Sequence, residues 1–244
     1  MRTKNVLGFV GSATRDHYLP GARVVVRNGR ALVQCASGVY SLSALGLVRP
    51  GAKISVDLRG LLAQSARTCF GGGAFNSLSA FKLIAPEMPV RYLDSGAPDR
   101  ELRSKLESWS VATAFLGLRE IPANVVLGKR DDKVIFKSPI HAASILDQAQ
   151  TAKVGWLTRC NSVLANSVKD PPVMAHLAAA ASHREMHLYV VLTTSLPPGF
   201  VCDTALPRSA GVFCSWDEAA HLFRNRNNYS RRTENARVAL RAGG

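Results

Sequence analysis

Three consecutive glycines at 71–73, inside F-G-G-G-A-F-N (residues 70–76), constrain this chain more than any other short segment. Without Cβ atoms they allow the backbone a closer approach to a neighbour than any other residue tolerates. An apolar helical pattern begins directly behind them. Asn76 therefore falls in the first turn of a helix, where free N–H groups and the positive dipole end gather. A strand-to-helix bend of this kind can hold a polar ligand by main chain and one amide side chain. The plainer roles are a tight turn for the glycines and a helix-start cap for Asn76.

The second constraint lies upstream. Residues 6–10 form a continuous apolar run, which predicts a strand buried on both faces. G-S-A-T-R-D (11–16) follows, placing Asp16 just beyond that strand's carboxyl end, where open α/β sheets bind ligands. As a turn residue, Asp16 would bend the chain or cap a helix instead. Residues 22–58 alternate in the β manner around Asn28-Gly29, a strong hairpin signal, and predict a small antiparallel sheet. Leu78, Phe81, Lys82 and Ile84 keep helical rhythm until Pro86. Beyond it the pattern predicts a strand at 90–93, a helix at 99–108 and a hairpin from 124–127 to 134–136. A helix at 140–150, a strand at 154–157 and a helix at 172–183 come next. Strands at 188–192 and 211–213 and a helix at 217–223 close the series. Alternating β and α units with hairpins spliced in predict an α/β fold with a mainly parallel sheet and a β-lid.

Composition narrows the class. A chain of 244 residues, 47% hydrophobic with mean hydropathy +0.03, reads as one globular domain. No apolar run approaches the roughly 20 residues that span a bilayer. The N-terminus imitates a signal peptide, but its apolar run is short and T-R-D-H follows at once, so it reads as the first strand. Five cysteines without metal or disulfide spacing indicate reduced thiols and a cytoplasmic protein. The net charge of +14 draws polyanions. Part of it is a tail with Arg224, Arg226, Arg231, Arg232, Arg237 and Arg241, read as a solvated basic helix. Nucleic-acid binding by that tail is the alternative, without a recognition fingerprint to support it.

Several motifs, in order, resemble the PfkB-type, ribokinase-like carbohydrate kinases. G-S-A-T-R-D-H (11–17) resembles the family's first-strand motif, and G-G-G-A-F-N (71–76) its double-glycine signature. D-S-G-A-P-D-R-E-L-R-S-K-L (94–106) is similar to the segment after the next strand, and I-P-A-N-V-V-L-G-K-R-D-D-K-V-I-F (121–136) to the second lid hairpin. S-W-D-E-A-A-H-L (215–222) stands where the family carries N-x-x-E, with Ser215 in place of the asparagine. The resemblance implies a single kinase domain with a three-layer α/β/α core, and lid segments at about 17–68 and 119–138. It implies that Asp16, Gly71, Gly72 and Asn76 bind a sugar or nucleoside acceptor, and that Glu218 helps organise Mg2+ and phosphate through water. ATP is the implied donor and the lid an implied dimer contact.

The implied reaction is attack of a sugar hydroxyl on the γ-phosphate of ATP, driven by positioning and electrostatics. The family holds its base and anion hole in a D-T-x-G-A-G-D segment near the C-terminus, and residues 1–244 contain none. Ser95-Gly96-Ala97-Pro98-Asp99 imitates it, but Pro98 lacks the N–H donor. The expectation is an incomplete kinase that keeps the sugar side, lacks its last strands and is hard to keep soluble. A non-catalytic sugar- or nucleoside-binding relative is the second reading, and a basic nucleic-acid binder the third. Lid residues choose among sugars, nucleosides and sugar phosphates. Arg23, Arg27 or Arg49 would favour a phosphorylated acceptor, though solvated surface is the plainer reading of them.

Overall fold

The computed structural model describes residues 5–19, 21–28, 30–35, 38–41, 53–55, 67–127, 134–137, 140–183, 186–192, 196–215 and 218–219. The chain divides into two compact units, one drawn from residues 1–12, 72–118 and 142–244, the other from 13–71 and 119–141.

The first unit is built on a six-stranded sheet. Numbered in chain order, its strands are β1 (Leu7–Gly11), β8 (Val90–Gly96), β9 (Val111–Arg119), β12 (Ser162–Asn166), β13 (His187–Val191) and β14 (Gly211–Phe213). Their spatial order is β14-β13-β12-β1-β8-β9. β1 pairs in parallel with both β8 and β12, β12 with β13, and β13 with β14. The run at 6–10 is therefore a central strand, as its unbroken apolar character requires.

Four longer helices cover the sheet: α1 (Gly73–Ile84), α2 (Arg100–Ser108), α3 (Gln148–Leu157) and α4 (Pro171–His183). Val10, Leu93, Val163 and Leu188 point to one face and are buried with Val154 and Leu157 of α3 and Met174 and Leu177 of α4. Phe9 points the opposite way, its ring 5.7 Å from that of Phe81 on α1. Helices on both faces of a mainly parallel sheet make three layers. Local chemistry sets the helix starts. Asp99 caps α2, its Oδ1 accepting from the Leu102 N–H at 2.8 Å. Asp147 and Gln150 close a reciprocal capping box on α3.

The second unit holds two smaller sheets. One joins β2 (Thr14–Tyr18), β6 (Lys53–Ser55), β7 (Arg67–Gly71), β10 (Ala123–Leu127) and β11 (Val134–Lys137) in the order β6-β11-β10-β2-β7. The other is an antiparallel meander of β3 (Arg23–Arg27), β4 (Arg30–Cys35) and β5 (Gly38–Ser41). β3 and β4 form the hairpin expected at Asn28-Gly29, with Arg27 opposite Arg30 and Asn28 at φ 51°. β10 and β11 form the expected second hairpin.

Three expectations need correction. Residues 154–157 belong to helix α3, not a strand, and residues 140–147 precede that helix. The strand of this region is β12, whose Val163 and Ala165 are fully buried. The alternative of Asp16 as a turn residue does not hold: it stands in T-R-D-H-Y, which forms β2 because β7 and β10 pair with it from both sides. The predicted helix at 217–223 lies mostly outside the described residues, which include its positions 218 and 219. Among the described residues no helix is long and apolar enough to cross a membrane.

Candidate functional site

Asp16 occupies the middle of β2, opposite Cys69 on antiparallel β7 and opposite Asn124 on parallel β10. Its carboxylate is held from one side. Thr14 Oγ1 and Asn124 Nδ2 both donate to Oδ1, each at 2.8 Å. The other oxygen, Oδ2, lies over Gly71: a Cβ built on that glycine would stand 2.2 Å from Oδ2 and 3.1 Å from Thr14 Oγ1. Gly71 is therefore required to be glycine, because its bare Cα is the floor under the carboxylate. Among the described residues no donor reaches Oδ2, which leaves it as an acceptor for a ligand hydroxyl.

The same face continues along the strands. Tyr18 follows two residues after Asp16 and stands opposite Arg67, so the face reads Thr14, Asp16, Tyr18 against Gly71, Cys69, Arg67. Burial pushes the Tyr18 hydroxyl above the usual phenol range, the Cys69 thiol and Asp16 add to the effect, and the Arg67 guanidinium opposes it. His17 lies on the other face beside Thr68, with Nδ1 and Oγ1 3.4 Å apart. Partial burial and Arg15 hold its imidazole below the usual range, with Asp16 pulling the other way.

In the first unit, Gly72 precedes α1 at φ 93°, ψ 148°, a backbone conformation that L side chains rarely adopt. It supplies no side-chain cap, and the first turn of α1 contains no acidic residue. The opening N–H groups of a helix have no intrahelical acceptor. Gly73 packs on the end of β12, where a Cβ would fall 2.2 Å from Asn166 Oδ1 and 2.3 Å from Ser167 Oγ. Asn166 in turn donates from Nδ2 to Ser77 Oγ at 2.9 Å, tying strand end to helix start. Asn76 is the fourth residue of α1; its N–H bonds Gly72 O at 2.9 Å and its side chain is exposed.

Glu218 is engaged locally. Its Oε2 accepts from the Ser215 N–H at 2.8 Å and from Ser215 Oγ at 2.9 Å, while its own N–H donates to Ser215 Oγ at 3.3 Å. That is a capping box, and the S-x-x-E spacing announces it. Among the described residues no cluster of three or more His, Cys, Asp or Glu could hold a metal ion.

Thr14 and Asn124, which hold Asp16, lie inside the quoted motifs without being singled out by them, and Arg67, opposite Tyr18, lies outside them. Asn124 carried a signal, being an amide inside the apolar run A-N-V-V-L and only 7% exposed. Thr14 and Arg67 acquire their places through β-register, which nothing local announces.

No protein-family model matches the sequence, and no curated protein matches it. Solved structures do. An adenosine kinase from Anopheles gambiae is similar at TM-score 0.61 and 15% identity, the match covering 96% of this chain and 70% of that one. An adenosine kinase from Schistosoma mansoni gives TM-score 0.60 at 13% identity, covering 96% and 69%. The ribokinase of Arabidopsis thaliana, solved with ribose and ATP, gives TM-score 0.53 at 14% identity, covering 99% and 70%. Nearly all of this chain thus superposes on about seven-tenths of structures that share little of its sequence. What they have in common is architecture, and this protein has the ribokinase-like α/β fold.

Proposed function

We propose that this chain binds the phosphate acceptor of a ribokinase-type phosphotransferase, a sugar or related hydroxyl-bearing small molecule such as a nucleoside. Asp16 Oδ2 accepts hydrogen bonds from ligand hydroxyls. Gly71 lets the main chain come close beneath it, while Gly72 and the amide of Asn76, which can donate and accept at once, enter the proposal from the motif resemblance alone. The observation that carries this reading is the Asp16 carboxylate itself: one oxygen is fixed by Thr14 and Asn124, and the other is left open above a glycine. Segments 17–68 and 119–138 are the lid segments in this proposal, and ATP is the phosphoryl donor of the whole reaction.

Residues 1–244 contain no D-T-x-G-A-G-D segment, so binding without transfer is expected from this chain alone. Calorimetry against a panel of sugars and nucleosides should give a saturable signal that Asp16→Ala abolishes. An ATP-consumption assay with the same panel should stay at background. Robust turnover would overturn the claim that the base is lacking, and absence of any binding would remove the acceptor reading. The second reading, a non-catalytic binding relative, shares the first outcome and rests on the same missing segment. It parts from the kinase reading if no added polypeptide carrying D-T-x-G-A-G-D restores transfer.

A further inference from the structure

We infer that the acceptor is an anionic, phosphate-bearing sugar whose hydroxyls meet Asp16 and whose phosphate meets Arg67; this rests on the acceptor-binding reading above and narrows it. Register places the two side chains on one face. Asp16 stands opposite Cys69 and Tyr18 opposite Arg67, so Arg67 lies one two-residue step from Asp16, about 7 Å along the strands. A pentose or hexose phosphate bridges such a gap between its ring hydroxyls and its phosphate.

Two further observations support the assignment. Arg67 is exposed and, among the described residues, neither a carboxylate nor a carbonyl occupies its guanidinium; its polar neighbour is the Tyr18 hydroxyl. A guanidinium in that state offers a phosphate two parallel N–H donors. The surrounding field points the same way. Residues 13–71 and 119–141 hold thirteen of the 31 Lys and Arg but five of the 17 Asp and Glu, a net charge of +8 out of +14. More than half of the charge excess thus belongs to the unit that carries Asp16, beside the part held by the tail. A positive field raises the local concentration of anionic ligands. Lys137, opposite Asn124 across β10, also belongs to this face but has an interaction of its own, so Arg67 is the group assigned to the phosphate.

The test is calorimetry on the full chain with two matched pairs, ribose against ribose 5-phosphate and fructose against fructose 6-phosphate. In at least one pair the phosphorylated sugar should bind about tenfold tighter or more. Arg67→Gln should erase that advantage, bringing the ratio of the two affinities within a pair to about one. Arg67→Lys should keep part of it, and Asp16→Ala should abolish both. Equal affinities within both pairs, or an advantage that survives Arg67→Gln, would overturn the inference while leaving the acceptor reading intact. If no member of either pair binds, the inference falls; if no other sugar or nucleoside binds either, the acceptor reading falls with it.

Discussion

Replacing Gly71 by alanine isolates the contact on which the site depends. The new Cβ would lie 2.2 Å from Asp16 Oδ2 and 2.8 Å from its Cγ. Ordinary carbon–oxygen contact needs about 1 Å more, so the carboxylate must swing away. In doing so it gives up the hydrogen bonds from Thr14 Oγ1 and Asn124 Nδ2, both at 2.8 Å. A hydrogen bond to a charged group contributes about 1.5–3 kcal/mol, and Asn124 is 7% exposed, so its amide is left without water as a substitute. Losing one of the two bonds gives an expected cost of about 2 kcal/mol, measured by urea unfolding followed by circular dichroism. The decisive comparison is a double-mutant cycle. With Asp16→Ala already present only the Thr14 hydroxyl, 3.1 Å from the new Cβ and free to rotate away, remains close, and the added cost of Gly71→Ala should fall below about 0.5 kcal/mol. Gly72→Ala serves as the control: its cost of about 1–2 kcal/mol comes from the backbone conformation and should be the same in both backgrounds. If Gly71→Ala costs the same with and without the Asp16 carboxylate, the carboxylate is not seated on that glycine.

Gly155 sits inside α3 with nothing within 4 Å of where a Cβ would be, so Gly155→Ala should stabilise by about 0.5–1 kcal/mol and raise Tm; a lower Tm would mean the site is packed. Gly73→Ala should do the reverse, because its Cβ meets Asn166 Oδ1, and Asn166→Ala should relieve part of the loss. His17 has a folded-state pKa below its unfolded value, so protonation disfavours the fold. Its contribution is intact above about pH 6.5 and fades as pH falls toward the lowered value. An NMR titration midpoint at or above 6.5 would contradict this. Burial pushes the Cys160 thiol up to about 11 against the opposing pull of Arg91. Iodoacetamide at pH 8 should therefore leave Cys160 unmodified in the native protein, and labelling at the rate of an open thiol would refute the assignment.

Elements announced by local chemistry were readable in advance. Asn28-Gly29 demands positive φ and gave its hairpin; the unbroken apolar run at 6–10 gave a central strand; Gly71–Gly73 gave the bend into α1. Errors arose where the tertiary setting decides. V-G-W-L at 154–157 resembles a buried strand in composition, whereas the capping box at Asp147 and Gln150, also present in the sequence, starts the helix that contains it. β2 is polar throughout and is a strand only because two partners hydrogen-bond to it. Of the site, Asp16 and the glycines were legible as residues. The identity of their neighbours was not, since Asn124 lies 108 positions from Asp16 in the chain.

The two donors gathered on a single oxygen at position 16 have a consequence for its nearest isostere. An asparagine there would be compelled to turn its carbonyl toward Thr14 and Asn124, which leaves the amide nitrogen facing outward over Gly71. The exchange would keep shape and packing while reversing the hydrogen-bonding sense presented to a guest. Guests that must give protons to this spot would be turned away, and those that can receive them would be admitted.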